Sequence, residues 1–134
     1  MEQRQERASA QTVMVVEDFD ETRRMLRQFL ESGGYGVVEA SNGREAVEMA
    51  RSATPALILM DLNMPVLDGF AAALRIRRQG PSRDVPIVAV TAYDSAESRA
   101  AARAVGCDDY LPKPFDYEQL LALVKRLTAK EARG

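Results

Sequence analysis

Short apolar runs alternate along this chain with longer stretches whose apolar residues recur at helical spacing. That alternation restricts the fold more than any other feature. Val13-Met14-Val15-Val16 follows Thr12 and stops at Glu17-Asp18. Tyr35 to Ala40 suits a second strand. Ala56-Leu57-Ile58-Leu59-Met60 stops at Asp61, and Pro86-Ile87-Val88-Ala89-Val90 stops at Thr91. Asp109-Tyr110-Leu111 leads into Pro112-Lys113-Pro114. Between the runs lie helical stripes: Met25, Leu26, Phe29 and Leu30; Ala46, Val47 and Ala50; Phe70, Ala73, Leu74 and Arg77; and an Ala-rich stretch ending at Gly106. The last stripe, Leu120, Leu123, Val124 and Leu127, keeps the i, i+3, i+4, i+7 spacing of one helix face. Asp20, Ser41-Asn42 and Asp94 or Ser95 are candidate helix caps. Gly33-Gly34 and Gly80-Pro81 are candidate stops. Strands that read as continuous apolar runs are buried on both faces. Strand–helix alternation therefore predicts an α/β fold, an open parallel sheet with helices on both sides.

Length and composition agree with this and exclude several functions. A chain of 134 residues is one ordinary domain with a sizeable core. Its formal net charge of -2 argues against nucleic-acid binding by overall electrostatics. Cys107 is the single cysteine and there is no histidine. Disulfides, zinc, haem and iron–sulfur sites therefore lack ligands, and a Ser-His-Asp triad lacks its base. Residues 1–11, MEQRQERASAQ, have no apolar core of signal-peptide type and read as a flexible N-terminal extension. No apolar run is long enough to span a membrane, so a cytoplasmic setting without membrane contact is expected. A domain over 12–128 and a short polar tail over 129–134 complete the division.

The chemistry is at the strand ends. In a parallel sheet all C-terminal strand ends share one edge, and ligands bind there where the strand order reverses. The residues following the runs are Glu17 and Asp18, Asp61, Thr91 and Lys113. Gathered acids repel each other, and a bound cation removes that cost. An all-oxygen set selects a hard ion, Mg²⁺ or Mn²⁺. Lys113 offers a point charge for a phosphate and Thr91 a hydroxyl. A carboxylate such as Asp61 can act as a nucleophile and form an aspartyl-phosphate.

Taken together, Val15-Val16-Glu17-Asp18, Leu59-Met60-Asp61-Leu62-Asn63-Met64-Pro65 with Asp68-Gly69, Ala89-Val90-Thr91-Ala92, and Gly106 to Phe115 resemble the receiver domain of two-component response regulators. The resemblance runs from about Thr12 to Leu127. It implies a flavodoxin-like (βα)5 doubly wound open parallel sheet of order 2-1-3-4-5. It further implies that Asp61 accepts a phosphoryl group from a sensor histidine kinase or a histidine phosphotransfer protein. Asp18 and Asp61 would hold Mg²⁺ directly, with the backbone carbonyl of Asn63, and Glu17 through water. Glu17 stands where an Asp also occurs in such domains. Lys113 would pair with the phosphoryl group, and the Lys113-Pro114 bond is expected to be cis. Thr91 and Tyr110 would form the switch, read by a downstream protein effector on the face of the fourth helix, fifth strand and fifth helix. Asn63 and Tyr93 would tune the lifetime of the phosphate, Tyr93 by shielding it. The domain would catalyse its own phosphorylation and dephosphorylation without acting on an external substrate. The short polar stretch after the last helix suggests a stand-alone protein with no direct DNA binding.

Each residue alone has a blander explanation. Asp61 could be a turn residue, Thr91 a cap, Tyr110 a core aromatic and Lys113 a solvated loop residue. Their joint placement is what favours the site. Two other functions remain in view. A Mg²⁺-dependent phosphatase or phosphotransferase often has a second acid two residues after its nucleophile, where this chain has Asn63. A constitutive binding module would not need Asp18, Asp61, Thr91 and Lys113 together. Arg75, Arg77, Arg78 and Arg83 read as a solvated basic cluster near a helix end.

Overall fold

The computed structural model describes residues 11–64, 67–78 and 80–133, with side chains described as far as Ala129 in the last helix. Strands β1 (Thr12–Val16), β2 (Gly36–Ala40), β3 (Leu57–Asp61), β4 (Ile87–Thr91) and β5 (Asp109–Pro112) alternate with helices α1 (Asp20–Ser32), α2 (Gly43–Ser52), α3 (Gly69–Arg78), α4 (Ala96–Ala104) and α5 (Tyr117–Arg133). The strands form one sheet of order 2-1-3-4-5, and every pairing is parallel. The expected fold and strand order are both present.

The sheet separates two cores because successive strand residues point to opposite faces. Val13, Val15, Leu57, Leu59, Val88 and Val90 pack with Leu26 and Leu30 of α1 and Leu120, Val124 and Leu127 of α5. Met14, Val16, Ile58, Met60, Ile87 and Ala89 pack on the other side with Ala46 and Val47 of α2, Ala72, Ala73 and Ile76 of α3, and Ala102 of α4. β3 and β4 are buried at every position, which is why they read as unbroken apolar runs. Among the described residues no helix is long and apolar enough to cross a membrane.

Several local expectations hold and others change. Asn42 caps α2 by accepting from the Glu45 N–H at 2.9 Å, and Glu45 returns the bond to the Ser41 N–H at 2.7 Å. The pair resembles a capping box, with the returning bond made to the residue before the cap. Ser95, not Asp94, caps α4 by accepting from the Ser98 N–H. Asp94 instead pairs with Arg99 at 2.8 Å. Asp20 is not the cap of α1: Phe19 holds that position, without a side-chain bond, and Asp20 pairs with Arg23 at 2.6 Å. The last helix continues to Arg133, through most of the segment read as a tail. The N-terminal extension lies outside the described residues apart from Gln11, whose side-chain amide donates to the Thr128 carbonyl at 3.1 Å. Pro65 also lies outside them.

Arg77 corrects the reading of a solvated basic cluster. Its guanidinium donates to the carbonyls of Gly106 (2.9 Å), Arg83 (2.8 Å) and Val85 (2.6 Å), and pairs with Asp108 at 2.6 Å. Asp108 in turn accepts from the Ile87 N–H at 2.9 Å. Arg77 thus ties the end of α3 to the loops before β4 and β5.

Candidate functional site

β1 connects to β2 on one side of the sheet, and β3 onward builds the other, so the crevice between β1 and β3 is the switch point. The register pairs Val16 with Met60, which brings the residues just beyond them to one level. Glu17, Asp18 and Asp61 meet there, each offering a carboxylate oxygen within 4.8 Å of the others. Glu17 and Asp61 are buried and Asp18 is exposed. Asp61 is held by its neighbour, since the Asn63 N–H donates to Oδ1 at 3.1 Å. Behind it, Gly69 approaches so closely that an added Cβ would lie 2.3 Å from the Asp61 carbonyl oxygen. Only glycine allows α3 to start against the end of β3.

Lys113 reaches in from just beyond β5, and the bond that follows it, Lys113-Pro114, is cis. Its ammonium lies 3.1 Å from Glu17 and 3.7 Å from Asp61. The other Glu17 oxygen accepts from the Phe19 N–H at 3.1 Å. One ammonium among three acids leaves negative charge in excess, in a partly desolvated place. Burial accordingly pushes the Asp61 carboxyl up to about 6, and the adjacent Glu17 carboxylate adds to this, while the Asn63 N–H and Lys113 act against it. The donor set is all oxygen, anionic and clustered, which fits a hard divalent cation.

Thr91 ends β4 and is buried. Its hydroxyl oxygen accepts from the Asn63 side-chain amide at 3.1 Å and from the Tyr93 N–H at 3.0 Å. Tyr110 in β5 is half-buried against the core, with its hydroxyl 3.0 Å from the Tyr93 carbonyl and 2.8 Å from Ser98 Oγ. The Arg99 guanidinium lies 4.6 Å from its ring centroid. Bonds therefore run from Asn63 through Thr91 and Tyr93 to Tyr110. The Tyr93 side chain itself is 71% exposed. Cys107 is buried, and burial pushes its thiol up to about 11, away from reactivity.

All of the residues singled out at the strand ends are thus brought to one edge. Arg23 is a further neighbour of the site, one that its residue type and position did not single out. Its guanidinium donates to the Glu17 carbonyl at 2.8 Å. The arginine follows Glu17 by six residues, and the sequence carried no other signal of it.

The fold and this crevice define a doubly wound α/β domain with an acid cluster at its switch point. The description "Response regulator receiver domain" matches residues 13–125, and the chain belongs to that family. Response regulator MprA of Mycolicibacterium vanbaalenii is 40% identical over 126 residues, covering 91% of this chain and 54% of that protein. Among solved structures, the receiver domain of the sensor histidine kinase PA1611 from Pseudomonas aeruginosa superposes with a TM-score of 0.84 at 36% identity, covering 90% of this chain and 99% of that one. That structure is described as having a magnesium ion coordinated in its active-site cleft. Chemotaxis protein CheY4 of Vibrio cholerae gives a TM-score of 0.85 at 35% identity, covering 89% and 99%. The chain is therefore a receiver domain of two-component signalling. It spans about half the length of the curated relatives it matches. The expectations of a stand-alone protein and of no direct DNA binding rest on where the chain ends, and that difference in length removes their basis.

Proposed function

We propose that Asp61 is the phospho-acceptor of this receiver domain. A carboxylate oxygen of Asp61 attacks the phosphorus of a phosphohistidine on a sensor kinase or phosphotransfer protein. A P–O bond forms, the P–N bond breaks, and the imidazole leaves with the electron pair. The observation that carries this reading is the trio of acids within 4.8 Å of one another at the switch point, with Lys113 alongside. Asp18 and Asp61, the Asn63 carbonyl and, through water, Glu17 would hold Mg²⁺ or Mn²⁺. The ion, when bound, would neutralise charge on the transferring group. Lys113 can move its ammonium from the acids to the phosphoryl oxygens. Asn63, two residues after Asp61, is an amide rather than a second acid, which favours a held phosphate over turnover of an external substrate.

Readout would run through Thr91, whose hydroxyl turns to the phosphoryl group and gives up the Asn63 and Tyr93 bonds. Release of the Tyr93 loop loosens the anchor of Tyr110 and changes the α4–β5–α5 face for a downstream protein effector in the cytoplasm. A recess of about 120 Å³ lined by Arg99, Arg103, Cys107, Asp108 and Tyr110 lies on that face.

Intact-mass analysis after incubation with a small phosphoramidate and Mg²⁺ tests the assignment. The wild-type chain should gain one phosphoryl group and Asp61→Asn none. Equal labelling of both proteins would refute it.

A further inference from the structure

Arg23 makes a three-way contact that the phosphorylation chemistry does not itself require. Its side chain is only 15% exposed. Nη1 donates to the Glu17 carbonyl at 2.8 Å, Nη2 to Asp20 at 2.6 Å and Nε to Glu39 at 2.9 Å. Glu39 lies in β2, and its second oxygen is taken by Arg27 at 2.6 Å. One planar fork thereby joins the end of β1, the first turn of α1 and the neighbouring strand. Only arginine offers five donors in a rigid plane, and lysine cannot reproduce this bridge.

The fastened atom belongs to the residue just before Asp18. The Glu17 N–H continues the sheet ladder to the Ala40 carbonyl at 3.0 Å, and the Phe19 N–H is tied to the Glu17 carboxylate. No hydrogen bond from the described residues reaches the Asp18 carboxylate. Its aim is therefore set by its backbone, and that backbone is pinned on one side by Arg23.

We infer that Arg23 is a positioning residue for the divalent-cation site, acting by locking the Glu17 carbonyl so that Asp18 is presented beside Asp61. The inference rests on the proposed cation site. It makes a prediction opposite in sign to simple electrostatics. Removing a cation near three acids should tighten the binding of another cation, whereas loss of a locked loop should weaken it. Outer-shell partners of metal ligands typically contribute about 10–100-fold in affinity.

Mn²⁺ titration followed by electron paramagnetic resonance provides the test, with Asp18→Ala as the site control. Arg23→Ala should weaken Mn²⁺ binding about tenfold. Arg23→Lys keeps the charge and the apolar stem, so it guards against a folding defect, and it should still bind Mn²⁺ several-fold more weakly. The Mg²⁺ concentration that half-saturates phosphoramidate labelling should rise in step with the loss of Mn²⁺ affinity. Wild-type or tighter Mn²⁺ affinity in either folded variant would overturn the inference while leaving the cation site intact. Wild-type protein that shows no Asp18-dependent Mn²⁺ binding would overturn both.

Discussion

Asp61→Asn should stabilise the metal-free protein, by an amount that grows with pH. The Asp61 carboxyl has an ordinary value of 3.8 and is pushed up to about 6, first by burial and then by Glu17. The folded protein therefore holds this proton more tightly than the unfolded chain does. At a pH below the unfolded value both states are protonated and Asp61 costs nothing. As pH rises between the two values the unfolded chain ionises first and stability falls. Above the folded value the loss is complete. The full gap corresponds to roughly 3 kcal/mol. Asparagine keeps the shape and an oxygen that can accept the Asn63 N–H, and Lys113 retains Glu17 at 3.1 Å. The variant should thus gain roughly 1.5 kcal/mol near pH 5 and roughly 3 kcal/mol near pH 8, or roughly 10 °C in Tm at the upper end. Urea titrations of both proteins in chelator across this range measure the difference. Carboxylates held low by partners, such as Glu39 by Arg27 and Arg23, titrate in both proteins and cancel. A difference that stays flat with pH, or that has the opposite sign, would refute the claim that Asp61 is strained by charge.

Three further outcomes are expected. Gly69→Ala would press a methyl group onto the Asp61 carbonyl and the Leu62 Cα, at 2.3 and 2.7 Å, and should cost about 2–3 kcal/mol in urea unfolding. The phosphorylation rate should fall as well. Arg77→Ala would remove the guanidinium donor from three carbonyls and from Asp108, and should cost about 2–3 kcal/mol with no change in Mn²⁺ affinity. Tyr93→Ala should shorten the lifetime of the phosphorylated protein in a decay assay, and an unchanged decay rate would count against shielding.

The sheet was legible because its strands are buried on both faces, so hydrophobicity alone marked their extent and their ends. The site was legible for the same reason: an apolar run that stops at Asp61 or Thr91 marks the edge where ligands bind. Side-chain reach was not legible. Arg77 and Asp108 are distant in sequence, and only the fold brings the end of α3 to the loops before β4 and β5, where the arginine becomes a donor to three carbonyls. Arg23 was hidden in the same way, because its partner Glu39 lies on the next strand. The cap of α1 escaped because the helix starts one residue earlier than a capping Asp20 would require: Phe19 holds the cap position and Asp20 lies in the first turn, where it pairs with Arg23.

The close approach of Gly69 to Asp61 has a mechanical consequence. The Leu62 N–H is bonded to the Val90 carbonyl and its carbonyl accepts from the Gly69 N–H, so the backbone bearing Asp61 is braced from both sides. Across the crevice, the stretch from Ala92 to Glu97 is exposed. A push at the Asp61 carboxylate is thus expected to be resisted on the β3–α3 side and taken up by the exposed stretch after β4. The absence of a side chain at Gly69 is what lets that brace close, so one glycine helps decide which side of the crevice yields.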